Sequence, residues 1–219
     1  MNLVRFALAG LTLAGACSLV QVQAKPIAFS HGTTVMAEYG AGTMVEAQVF
    51  YAPKYFWSLG LGYTELDSRL AEQRREITYA RANYLVKRWN MESAQANSFV
   101  WGGAGNAYVS ETRAHEFTWN AGGQFDYETR RVYGSLKTDL FRSAAFTHRI
   151  DTVQLGVAPY KHDIETLATW FVVQGRRYTG NMEDGTEVAF LLRLFRKGAW
   201  VEAGATTDGK LQAMAMVNF

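Results

Sequence analysis

The tightest constraint in this chain is a period of two. Between His115 and Glu128, Phe117, Trp119, Ala121, Gly123, Phe125 and Tyr127 alternate with Glu116, Thr118, Asn120, Gly122, Gln124, Asp126 and Glu128. Successive side chains of a strand point to opposite faces, so this stretch predicts a strand with one apolar and one polar face. Strands of soluble sandwiches are commonly about five or six residues long. A longer strand with four aromatics on its apolar face suits lipid better than a packed core.

The same period recurs along the chain in segments near the length of about 9–11 residues that a tilted strand needs to cross a bilayer. Twelve such segments are expected: Thr33–Tyr39, Thr43–Ala52, Tyr55–Leu66, Glu76–Trp89, Ala94–Gly105, His115–Glu128, Arg131–Phe141, Ile150–Tyr160, Glu165–Tyr178, Thr186–Arg196, Ala199–Thr206 and Lys210–Phe219. Merging the weakest two, the fifth and eleventh, with neighbours leaves ten, and eight is a more distant option. In the third segment the large residues Tyr55, Trp57, Leu59, Leu61 and Tyr63 take one parity, and Gly60 and Gly62 take the other, as a narrow interior requires. Leu85 breaks the pattern of the fourth, and the facing of the fifth is left open. An even number puts both ends of the barrel on one side. Connections on the opposite side, Glu65–Arg75, Asn106–Ala114, Arg142–Arg149 and Thr179–Gly185, are expected to be long. Those on the near side, Pro53-Lys54, Asn90–Ser93, Thr129-Arg130, Lys161–Asp163 and Lys197-Gly198, are expected to be short turns.

The final ten residues carry a resemblance. Leu211, Ala213, Ala215, Val217 and Phe219 share one face, and Lys210, Gln212, Met214, Met216 and Asn218 share the other. Chain ends usually fray into water, so an apolar closing strand ending on Phe is unusual. In this it resembles the small outer-membrane β-barrel proteins of Gram-negative bacteria, a porin-like class. The resemblance implies an all-β fold, a single antiparallel transmembrane β-barrel with short periplasmic turns and longer external loops. It also implies Val217 and Phe219 as an assembly signal read by the barrel-assembly machinery, and outer-membrane lipid and lipopolysaccharide as surroundings.

The amino terminus agrees. Arg5 precedes the largely apolar run Phe6–Val20, and Val22-Gln23-Ala24 fits a small-residue cleavage site, so residues 1–24 read as a secretory signal peptide and 25–219 as the barrel. Leu13-Ala14-Gly15-Ala16-Cys17 resembles a lipobox but sets Leu four residues before the cysteine, where three is usual. Cleavage after Ala24 removes Cys17, the single cysteine, and with it any disulfide or thiolate site. It also removes Arg5, taking the formal charge from +2 to +1, which gives no reason to expect a nucleic-acid partner. No mature stretch of about 18 apolar residues exists to form a transmembrane helix.

The inward parity collects the chemistry: Glu38, Glu46, Gln48, Arg81, Lys87, Glu116, Asp126, Glu128, Arg131, Lys137, Asp139, Arg176, Arg193 and Glu202. Charges of both signs either pair and fill the barrel or line a narrow aqueous channel, since buried charges persist when paired or hydrated. Met36, Met44, Met214 and Met216 share that parity near His31. Clustered thioethers suit Cu(I), but Met more often fills irregular gaps. The histidines His31, His115, His148 and His162, with Glu116, Ser110 and Ser143, allow a His-Ser-acid grouping, but their spacing matches no motif. Gly102-Gly103-Ala104-Gly105 lacks the Lys-Ser/Thr and helix of a phosphate loop and reads as strand glycine. The expected function is a small channel passing small solutes by diffusion, with no enzyme activity, no cofactor and no bound metal. The alternatives are a closed structural or interaction barrel acting through its external loops, a lipid-modifying enzyme, and a copper-binding barrel.

Overall fold

The computed structural model describes residues 30–68, 73–162 and 165–219. The proposed signal peptide lies outside the described residues. Twelve strands follow in order: β1 (Gly32–Gly40), β2 (Met44–Lys54), β3 (Trp57–Asp67), β4 (Arg74–Asn90), β5 (Ala94–Val109), β6 (Ala114–Thr129), β7 (Val132–Ser143), β8 (Thr147–Val157), β9 (Ala168–Gly180), β10 (Gly185–Arg196), β11 (Ala199–Thr206) and β12 (Leu211–Asn218). Each pairs antiparallel with its sequence neighbours, and β12 returns to β1, closing the ring. The expectation of twelve strands holds, and the merged alternatives of ten and eight do not.

Closure follows the alternation of the last strand. Val35 lies opposite Val217 and Met36 opposite Met216. The ladder continues into the last residue: the Phe219 N–H donates to the Thr33 carbonyl at 3.0 Å, and the Thr33 N–H donates back at 2.6 Å. Closure leaves no free strand edge, which a barrel facing lipid requires.

The outward face is apolar. Val35, Val49, Leu59, Leu61, Leu136, Leu155, Phe171, Val173, Phe190 and Leu192 are all exposed. Aromatic side chains gather near both rims of this band, with Tyr51, Tyr84, Trp89, Tyr127 and Phe219 toward the end that holds the termini. Tyr39, Tyr63, Phe117 and Trp119 lie toward the far end. A soluble protein would bury such a surface, whereas lipid solvates it.

The expected difference in loop length is only partly realised. At the end holding the termini, the connections at 55–56, 91–93, 130–131 and 197–198 are tight, but residues 158–167 between β8 and β9 form the longest link. At the far end the strands run into stretches expected as loop. Glu65, Leu66, Arg74 and Arg75 are paired across β3 and β4, and only residues 144–146 separate β7 from β8. Backbone pairing carries these polar stretches beyond the apolar band, because hydrogen bonding of a ladder does not depend on which side chains it bears.

Candidate functional site

The interior is stacked in three layers. At the far end Met44, Leu66, Ile77, Tyr79, Phe141, Ile150 and Tyr178 point inward and meet Phe146 and Met182 from the connections above them. Together they form an apolar stopper; Phe146 and Met182 are 2% and 1% exposed. Two connections are tied over it. Asn181 accepts from the Thr147 N–H at 2.8 Å and donates to the Ala145 carbonyl at 3.1 Å, while Glu116 Oε2 accepts from the Ala145 N–H at 2.9 Å. Toward the other end, two more apolar clusters line the wall. One is centred on Trp170, Val172 and Leu191, and the other on Leu85, Phe99 and Trp101.

Between these layers lies a polar belt around a cavity of about 130 Å³, room for several water molecules. Glu38, Gln48, Arg81, Lys137, Arg176 and Glu202 all line it, with Met36, Met214 and Met216 on the β1–β12 wall. Other residues of the expected set hold the liners in place. Glu46 accepts from Tyr79 at 2.8 Å and Thr64 at 3.1 Å. Arg193 pairs with Glu202, its register neighbour, at 2.7 Å. Asp139 accepts from Trp101 Nε1 at 3.0 Å. A chain of amides leaves Arg193 and returns to its own strand, β10: Arg193 donates to Gln154 at 2.8 Å, Gln154 to Gln174 at 2.7 Å, Gln174 to Gln212 at 2.6 Å, and Gln212 to Glu187 at 2.6 Å. Arg176 on β9 bridges the lumen to Glu38 on β1, four strands round the ring.

Glycines make room for the large inward rings. A Cβ on Gly62 would lie 2.3 Å from the Tyr79 ring, and one on Gly122 would lie 2.5 Å from Trp101. The small inward parity expected in β3 is the space that Tyr79 fills.

Some expected lumen residues are elsewhere. Lys87 faces outward, over the Trp89 ring at 5.1 Å. The cause is a bulge: Leu85 pairs with Phe99 but Lys87 with Ser98, so parity flips at Val86. Arg88 takes the inward place, its Nε donating to Asn97 at 2.7 Å, and Leu85 packs inside. Arg131 lies in the β6–β7 turn, exposed, its guanidinium reaching the Ala158 carbonyl at 3.3 Å. Glu116 sits at the far rim rather than on the cavity, and Asp126 is buried near the opposite end, accepting from Asn97 at 2.7 Å.

The methionine and histidine groupings are divided. Met44 joins the stopper, away from Met36, Met214 and Met216, and His31 bonds its neighbour Ser30 in an exposed position. Among the described residues no cluster of three His, Cys, Asp or Glu could hold a metal. His115 bonds Asn106 at 2.8 Å, while His148 is buried against Tyr178. Ser110 donates to Glu111 at 2.9 Å and Ser143 accepts backbone N–H groups of its own turn, so among the described residues these two serines bond elsewhere than to His115 or His148.

The stopper was missed from the sequence, although a signal existed. Met44, Leu66, Ile77, Phe141, Ile150 and Tyr178 are large apolar residues on the inward, otherwise polar, parity, each near the far end of its strand.

A closed antiparallel barrel of twelve strands with an apolar outer band and a polar belt inside has the architecture of a transmembrane β-barrel. No protein-family model and no curated protein matches the sequence. Solved structures do match, two of them as follows. A KdgM porin in complex with disordered oligogalacturonate shares 11% identity over 86% of this chain and 98% of its own, with a TM-score of 0.48. CdiB from Acinetobacter baumannii shares 8% identity over 88% of this chain and 60% of its own, with a TM-score of 0.27.

Proposed function

We propose that this chain is an outer-membrane barrel of porin type that passes small polar solutes through a narrow lumen, held closed in this conformation by the apolar stopper. In this reading residues 1–24 direct export and are removed. The outward band meets outer-membrane lipid and lipopolysaccharide, and the apolar end of the chain at Val217 and Phe219 is read by the barrel-assembly machinery.

One observation carries the proposal, the polar belt at mid-height. Replacing buried ion pairs by packed apolar side chains is often neutral or stabilising, and this barrel packs apolar side chains at both ends. Keeping Glu38, Arg176, Arg193 and Glu202 around a cavity in the middle is a cost that a merely structural wall need not bear. The stopper is suited to move, because two of its members, Phe146 and Met182, come from short connections rather than from the wall. The stopper itself favours a second reading, a closed barrel that works through its far-end connections.

Planar-bilayer recording separates the two. The double variant Phe146→Ala/Met182→Ala is expected to raise open probability or conductance at least several-fold over wild type. Folded, heat-modifiable double variant that stays silent would reject the channel and leave the closed barrel.

A further inference from the structure

The seam where β12 meets β1 carries sulfur on its inner face. Met36 lies directly opposite Met216, and Met214 follows two residues away on the same strand, so it takes the same face. All three line the mid-height cavity. Thr33 and Phe219 exchange both backbone hydrogen bonds. Pair types alternate along an antiparallel ladder, so Met36 and Met216, three steps on, form a pair without mutual ladder bonds. In that kind of pair the Cα atoms stand only about 4.5 Å apart and the side chains are closest. Met214 sits on the diagonal, about 7–8 Å from Met36 and within reach of a long side chain. Three flexible thioethers can therefore converge on one point of the cavity wall.

The neighbours set the charge. Met36, Met216 and Trp200 form one row across β1, β12 and β11, and Glu38, Met214 and Glu202 form the next. Two carboxylates thus flank the middle sulfur, each also paired with an arginine, Arg176 or Arg193. Around the belt the carboxylates Glu38, Glu46, Asp139, Glu187 and Glu202 outnumber the cations Arg81, Lys137, Arg176 and Arg193 by one. A positive guest is favoured over a negative one, and the sulfurs select which. Oxygen ligands suit hard ions such as Mg²⁺, whereas a thioether is neutral and soft and suits Cu(I). The alternative role of methionine, filling irregular gaps, is taken elsewhere: Met44 and Met182 pack into the stopper at 7% and 1% exposed. Met36 and Met214 are only half-buried and border a cavity.

We propose that Met36, Met214 and Met216 form a binding site for a soft monovalent cation of the Cu(I) class on the closure seam of the barrel. The ladder register brings the three sulfurs together, and Glu38 and Glu202 lower the cost of holding a positive charge beside them. A thioether carries no proton, so binding displaces none, unlike capture by a thiol. The site does not depend on solute passage, since the seam and its methionines are the same in a closed barrel.

Chelator competition tests the site. Full-length refolded protein carrying Cys17→Ser, so that no thiol competes, is titrated with Cu(I) under ascorbate without oxygen, against bicinchoninate. One equivalent of Cu(I) is expected to be held per chain. Met36→Leu/Met216→Leu nearly conserves side-chain volume. It should weaken binding by at least the roughly tenfold to hundredfold that loss of a mere supporting group costs a metal site. Met44→Leu/Met182→Leu, in the stopper, should leave binding unchanged. No binding, or equal binding in the two double variants, would overturn the proposal. Should Met36→Leu/Met216→Leu fail to fold, X-ray absorption at the copper edge decides on the Cys17→Ser protein and on Met44→Leu/Met182→Leu. Sulfur neighbours in both support the site, and nitrogen or oxygen neighbours alone overturn it. Neither measurement requires conductance, so failure here is separate from failure of the channel reading.

Discussion

At the far end of the lumen Phe141, Phe146, Ile77 and Met182 touch one another. At mid-height Glu38, Arg176, Gln154 and Glu202 reach across the same bore. Both layers face inward from the same strands, and both are closed to lipid. They differ in what holds them. The stopper is non-directional: each side chain contributes by excluding water, and neighbours can shift to fill small gaps. The belt is directional, and removing one member leaves another unpaired in a poorly solvated place. A barrel can therefore tolerate rearrangement of its stopper more readily than of its belt. The moving part of the proposed channel accordingly lies in the apolar layer.

Three changes test that contrast. The largest effect is expected in the belt. Arg176→Met alone strands Glu38 and should cost about 3–5 kcal/mol, whereas the double variant Glu38→Leu/Arg176→Met should recover most of it. Urea unfolding in micelles, followed by tryptophan fluorescence, measures both; a double variant as unstable as the single would deny that pairing controls the belt. A smaller loss is expected where the belt meets the stopper. Gly62→Ala would press a Cβ against the Tyr79 ring and should cost about 1–3 kcal/mol. The matching change Gly175→Ala, where nothing lies within 4 Å, should be close to neutral. Equal effects at the two glycines would mean that Tyr79 does not occupy the space over Gly62.

The smallest effect lies outside the wall. Glu111, in the β5–β6 connection, is held by Arg75 in a two-pronged pair at 2.5 and 3.0 Å. That hydrogen bonding, opposed by slight burial, keeps its carboxyl below the ordinary value of 4.5. A lowered carboxyl stabilises the folded form at pH above the ordinary value and loses that advantage as pH falls through the lowered one. Glu111→Gln should therefore melt slightly below wild type at pH 7 and match it in stronger acid. Because Glu111 is largely in water, the gap should also shrink in high salt; a gap that widens in acid would contradict the pairing.

Much of the wall could be read beforehand, and the reasons are local. The outward residues of β6 and β12 alternate without interruption, so facing follows from a single parity. The same parity sets Glu38, Arg81, Arg176 and Glu202 inward. It failed at Lys87, where a bulge of one residue at Val86 reverses every later side chain in the strand. It failed at Arg131 too, because a turn has no parity. At the far end most strands run past their expected limits because polar residues beyond the apolar band look like loop until they are seen paired, whereas at the other end β8 stops at Val157 and β9 starts at Ala168, inside the expected Tyr160 and Glu165.

The sequence by itself determined the class of fold, twelve as the favoured strand count, and the outward face of the strands whose alternation is unbroken. Those properties repeat every two residues and need only neighbours along the chain. Only the closed structure decided what fills the lumen. Whether Arg176 reaches Glu38 or Phe146 reaches Met182 depends on the curvature and register that bring distant strands face to face, and no spacing within one strand encodes that. The stopper and the polar cavity beneath it are products of closure.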